Sequence, residues 1–147
     1  MKFCNRIAVV SSFLLIACLC FASCAEKKEG KVIVTEQEFS IRQDTDINWV
    51  LDVKGKIRNV GEVDVKKVVI TGYCRGCTQV LTAGIWTISD YEKTKDQKDV
   101  ISYLTAGAEE EFSFREVAFY FHQSGQPPAG LPDMLEVVIE SFEVVEE

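Results

Sequence analysis

The stretch GYCRGCTQ, Gly72 to Gln79, sets Cys74 and Cys77 three positions apart. That spacing serves dithiol redox sites, zinc sites, haem attachment and plain covalent staples, so context must separate them. Haem attachment needs a histidine directly after the second cysteine, and Thr78 stands there. A closed zinc site needs four ligands, usually two cysteine pairs or one pair with two histidines. Beyond residue 24 the chain supplies Cys74, Cys77 and the single histidine His122, so no metal or other cofactor is expected. A thioredoxin-like pair owes its low thiolate pKa to a helix that begins at the first cysteine, whereas Thr78-Gln79-Val80-Leu81-Thr82 reads as strand. Arg75 between the cysteines favours the thiolate slightly, which keeps thiol exchange as a second reading. In an oxidising compartment the two are expected as a disulfide across an Arg75-Gly76 hairpin turn. So small a loop contributes only about 2 kcal/mol.

Other catalytic chemistry finds little support. A Ser/His/Asp or Cys/His scheme would depend on His122, which follows Phe119-Tyr120-Phe121 without a nucleophile motif nearby. The 23 acids fall largely in solvated runs such as Glu109-Glu110-Glu111, which suit a soluble face better than an acid/base pair. No enzymatic activity is expected.

The compartment follows from the first residues. Lys2 and Arg6 precede an apolar run from Ile7 to Ala22, and charge returns abruptly at Glu26-Lys27-Lys28. That is the pattern of an export signal. Phe21-Ala22-Ser23-Cys24 and Leu15-Ile16-Ala17-Cys18 both resemble the bacterial lipobox, in which small residues precede a cysteine that is lipidated before cleavage. Cleavage before Cys18 would leave Leu19-Cys20-Phe21 at the new N-terminus, so Cys24 is taken as the lipidation site and Cys18 as its alternative. An uncleaved anchor is the other possibility, since the run approaches the roughly 20 residues of a membrane span. Either way the later residues lie outside the cytoplasmic membrane.

Loss of residues 1–23 removes Lys2 and Arg6 and no acid, which takes the formal charge from −7 to −9. Such a surface repels phosphate backbones and anionic headgroups, so nucleic acid is excluded as a partner and attachment falls to the lipid. Residues 24–31 form the tether and residues 32–147 the domain.

The elements around the cysteine pair follow a period of two. Trp49, Leu51, Val53, Gly55 and Ile57 share one face, and Asp52, Lys54, Lys56 and Arg58 the other. Asn59-Val60-Gly61-Glu62 is a turn signal through residues able to take positive φ. Val63–Tyr73 is β-branched, with a slip at Lys66-Lys67 that predicts a bulge. Further strands are expected over Val32–Ile41, Thr78–Ser89, one or two runs containing Phe112 to Phe121, and Met134–Val145, with Asp90–Asp99 as an exposed loop. Gln126–Pro132 is expected as a stiff connection. Trp49 and Trp86 are expected in the core, and Tyr91 and Tyr103 are candidates for a contact surface. About seven short strands over about 115 residues predict an all-β, antiparallel immunoglobulin-like sandwich.

Val53-Lys54-Gly55-Lys56-Ile57-Arg58-Asn59-Val60-Gly61 resembles the V-x-G-x-V-x-N-x-G strand and turn of the FxLYD-type domains, followed as there by a Val-rich strand ending in Tyr73. Leu104 to Phe112 resembles the family's L-x-P-G-E-x-x-x-F, with Ala106 in place of proline. The resemblance covers about residues 50 to 145 and implies a small sandwich common in exported or lipid-anchored bacterial proteins, without established catalysis. It implies no role for Cys74 and Cys77. The expected function is that of a membrane-anchored cell-envelope lipoprotein facing the periplasm or cell surface, acting as a non-enzymatic binding or accessory module for a protein or envelope partner. The alternative is a thiol-disulfide or metal-handling accessory protein using Cys74 and Cys77.

Overall fold

The computed structural model describes residues 28–88 and 93–146. The signal segment, Cys18, Cys24 and Tyr91 therefore lie outside the described residues. Among the described residues no helix is long and apolar enough to cross a membrane.

Among the described residues, eight strands form two antiparallel sheets: β1 (Val32–Thr45), β2 (Asn48–Asn59), β3 (Val65–Cys74), β4 (Trp86–Thr87), β5 (Lys98–Leu104), β6 (Glu109–Phe114), β7 (Phe119–Phe121) and β8 (Leu135–Val144). One sheet runs β1-β2-β7-β4, with β6 also on β2. The other runs β5-β3-β8. The inward faces meet in one core: Trp49, Leu51, Val53 and Ile57 from β2 pack with Val65, Val68 and Ile70 from β3, and Phe112 and Phe114 from β6. This is the all-β sandwich expected from the alternation, with one strand more than anticipated.

The extra strand is β5, whose Val100, Ile101 and Leu104 follow directly on the hydrophilic run read as loop. Its edge position leaves Val100 and Tyr103 exposed, which weakens the hydrophobic signal. β6 and β7 lie along the same flank of β2, interrupted where Glu116 takes a φ of 61°. Asp52 Oδ1 accepts from Glu116 N at 3.2 Å, and Leu51 exchanges backbone bonds with Val117 and Ala118 across the break. The bulge expected in β3 is present: Lys67 has a φ of 50° and the register against β8 shifts between Lys66 and Val69, while the register against β5 runs on unshifted.

The Asn59–Glu62 turn forms without positive φ at Asn59 or Gly61. Its glycine is required for space, because a Cβ on Gly61 would lie 2.4 Å from Lys31 N. Tyr103, expected as a contact residue, donates its hydroxyl to Asp64, which also accepts from Ala106 N at 2.8 Å. These two bonds, the tyrosine's first, hold the Asp64 carboxyl below its usual range and raise the Tyr103 phenol. A depressed acid stabilises the fold above its unfolded pKa, near 4, and loses that contribution as pH falls through the folded value. A raised phenol contributes below about pH 10 and loses its contribution as pH rises through its folded pKa. Tyr103→Phe should move the Asp64 titration midpoint up toward the ordinary carboxylate value in an NMR titration. An unmoved midpoint would show that Ala106 alone sets it.

Candidate functional site

Cys74 and Cys77 are disulfide-bonded, with Cα atoms 5.4 Å apart. The bond does not close a hairpin. β3 pairs with β5 and β8, and its ladder ends at Cys74 opposite Leu135, extended by Arg75 N donating to Met134 O at 2.9 Å. After Cys77 the chain leaves that sheet altogether and joins the other as β4, beside β7. The disulfide therefore sits at the crossover between the two sheets. Gly76 needs no positive φ there; a Cβ on it would approach Asp133 O to 2.7 Å, so it is the neighbouring backbone that demands glycine.

The strand expected over Thr78–Ser89 shrinks to Trp86–Thr87, with Ser89 outside the described residues. Thr78 makes an isolated parallel bridge to Thr87, and Gly84, at a φ of 78°, turns the chain back while its N–H donates to Phe121 O at 2.7 Å. Val80 and Leu81 are left 70% and 68% exposed. Their β propensity was real but had no strand to pair with, since propensity reflects fit to neighbours as much as the residue itself.

Around the disulfide, Arg75 lies with its guanidinium carbon 4.5 Å from the Tyr73 ring centroid, and its Nε is 2.5 Å from Glu136 Oε1. Lys93 Nζ is 5.0 Å from the same ring. Burial depresses the Lys93 pKa, against the pull of Glu140. Cys74 is buried, and Cys77 is half-buried where it packs on the edge of the core.

The returning loop also shapes the outer face of the β1-β2-β7-β4 sheet. Val50 pairs with Phe119 and Asn48 with Phe121, which puts these four on the side opposite the core residues Trp49 and Tyr120. Val50 is 1% exposed although it points away from the core. Phe119, Phe121 and Leu81 enclose it in a groove of about 480 Å³ whose rim carries Asp44 and Asn48. A larger hollow of about 640 Å³ beside Gly55 is ringed by charges, of which Lys56 pairs with Glu36 and Lys54 with Glu38. Sequence reading missed the groove; its one available signal was Val50, an apolar residue on the face of β2 that also carries Asp52, Lys54 and Lys56.

The remaining sites resolve into structural roles. Trp49 and Trp86 flank Tyr120 at centroid distances of 6.0 and 5.4 Å, and Trp86 Nε1 donates to Gly130 O at 3.1 Å, pinning the proline-rich connection. His122 Nδ1 lies 2.8 Å from Ser124 Oγ within a turn closed by Gly125 N donating to His122 O. Among the described residues no three His, Cys, Asp or Glu side chains gather as a metal site. No family model, no curated protein and no solved structure matches this chain.

Proposed function

We propose that this chain is an exported cell-envelope lipoprotein, anchored through Cys24, whose FxLYD-like sandwich serves as a non-enzymatic binding or accessory module. The observation that carries the reading is the short distance in sequence between the anchor and the fold: β1 starts at Val32, eight residues after Cys24. A tether that short reaches at most about 30 Å at full extension, which would hold the domain beside the membrane. The groove roofed by Leu81 and floored by Val50, Phe119 and Phe121 supports a binding role. Mass spectrometry of the mature protein should find an acylated N-terminal Cys24. A free Ala25 start, or an intact Met1, would overturn the anchor.

A second reading, thiol-disulfide exchange, is favoured by the unequal burial of the two residues, Cys74 in the core and Cys77 at its edge. Attack by an external thiolate on the Cys77 sulfur would form a mixed disulfide there and release the Cys74 thiolate. The reduction potential separates the readings. A value below about −300 mV fits a structural bridge, and one near −120 to −200 mV fits exchange chemistry.

A further inference from the structure

The groove on the outer sheet face has a chemistry of its own, and the inference drawn from it rests on the binding-module reading above. Its floor is apolar and aromatic through Val50, Phe119 and Phe121, and its wall is Leu81, 68% exposed at the tip of the crossover loop. Leu81 is exposed and Phe119 and Phe121 are half-buried, which leaves apolar area that a partner side chain could bury. The volume, about 480 Å³, lies within the roughly 300–1,000 Å³ typical of ligand clefts.

The rim gives the groove a sign. Asp44 is the one charged residue lining it among the described residues. Arg42 lies beside it, but its guanidinium is already engaged by Asp52, with Nε at 2.6 Å and Nη2 at 3.4 Å, and reaches Asp44 through Nη1 at 3.2 Å. Two carboxylates share one guanidinium, so the rim keeps one net negative charge. The whole chain is acidic as well, at −7. Long-range attraction and the local rim therefore favour the same kind of visitor.

We propose that the groove binds a cationic segment of another envelope protein that presents one bulky apolar side chain between Lys or Arg residues. The apolar side chain lies on Phe119 and Phe121 under Leu81, and a flanking cation meets Asp44. The loop that forms the wall begins at Cys77, so the disulfide at the crossover sets where Leu81 starts from, whatever its redox behaviour.

The test uses the full chain reconstituted in phosphatidylcholine nanodiscs, which carry no net charge to attract a peptide. Fluorescence anisotropy follows titration with a labelled KKFKK peptide and with its acidic counterpart EEFEE. The basic peptide should bind saturably and at least tenfold more tightly than the acidic one. Asp44→Lys should reverse that preference, while Glu110→Lys, the same charge change at the far end of β2 on β6, should leave it in place. Leu81→Ser should weaken the basic peptide about tenfold; Leu81 is exposed, so the fold does not depend on it. Equal binding of both peptides, no saturable binding, or an equal effect of Glu110→Lys would overturn the proposal. So would a concentration-dependent dimer dissolved by Leu81→Ser, which would assign the groove to a second copy of the chain. Failure on any of these counts leaves the lipoprotein reading intact, because the mass of the mature N-terminus decides that separately.

Discussion

Gly55→Ala lowers the stability of the domain by about 3 kcal/mol or more, the upper range for forcing atoms into a packed site. A Cβ at position 55 would lie 2.0 Å from Glu36 O and 2.7 Å from Phe112 Cζ. The oxygen belongs to β1, next to the place where β1 slips register against β2 between Val34 and Glu36 and leaves Thr35 unpaired in the ladder. A flexible side chain could swing aside, but a strand backbone held by ladder bonds on both sides of the bulge cannot. Relief requires β1 to lift from β2 along its longest pairing. Since domains are stable by only about 5–15 kcal/mol, such a loss is a large fraction of the total. In urea, with a slope of about 1.5 kcal/mol/M, the unfolding midpoint should fall by about 2 M. A midpoint within about 0.3 M of the parent would show that β1 shifts freely and that the bulge does not need glycine.

Asn59→Ala is the second large effect, and it acts through hydrogen bonds. Asn59 is fully buried at the end of β2. Its Nδ2 donates to Val63 O at 2.8 Å and to Leu104 O at 3.1 Å, and its Oδ1 accepts from Gly61 N at 3.0 Å. One amide thus ties the turn after β2 to the end of β5 in the opposite sheet. Alanine leaves two carbonyls without this donor, at about 1–3 kcal/mol for each buried group left unsatisfied. A total loss near 3 kcal/mol is expected from chemical denaturation. Asn59→Asp sharpens the test. At neutral pH its carboxylate would face two carbonyl oxygens in a buried site, so it should be less stable than the alanine variant there. Burial raises a carboxyl pKa, and a raised pKa contributes stability at low pH that is lost as pH rises through it, so the deficit should shrink on acidification. Equal deficits at acid and neutral pH would mean that water reaches the site.

Three residues of VKGKIRNVG answer to contacts far along the chain. Gly55 makes room for the β1 bulge, Asn59 links the two sheets, and Gly61 lets Lys31 pass close by. From sequence, Asn59 and Gly61 were read through turn propensity and Gly55 through strand alternation, and neither reason accounts for these contacts. The alternation in β2 did identify its core face correctly through Trp49, Leu51, Val53 and Ile57. The slip at Lys66-Lys67 likewise located the β3 bulge against β8, because an interrupted period is visible without knowing the partner strand.

The crossover is where sequence reading failed, and the reason is specific. Cys74, two turn residues and Cys77 between β-branched runs look the same whether the second run folds back on the first or departs for another sheet. Local patterning contains no term for which strand is the partner. Val80 and Leu81 were therefore placed in a strand, and the wall that Leu81 forms beside Phe119 and Phe121 was invisible. Only the long-range pairing of β7 with both β2 and β4 brings that loop onto the outer face.

By itself the sequence determined the class of the fold, the core face of its central strand, the acidic surface and the absence of any helical scaffold for a redox cysteine pair. Each of these is a property of period, composition or nearest neighbours. The tertiary structure decided that the disulfide marks a crossover, that Asn59 is a tie between sheets, and that a groove lies beneath Leu81. Each of these depends on contacts between residues far apart in the chain, whose geometry is set by packing and strand pairing rather than by local preference.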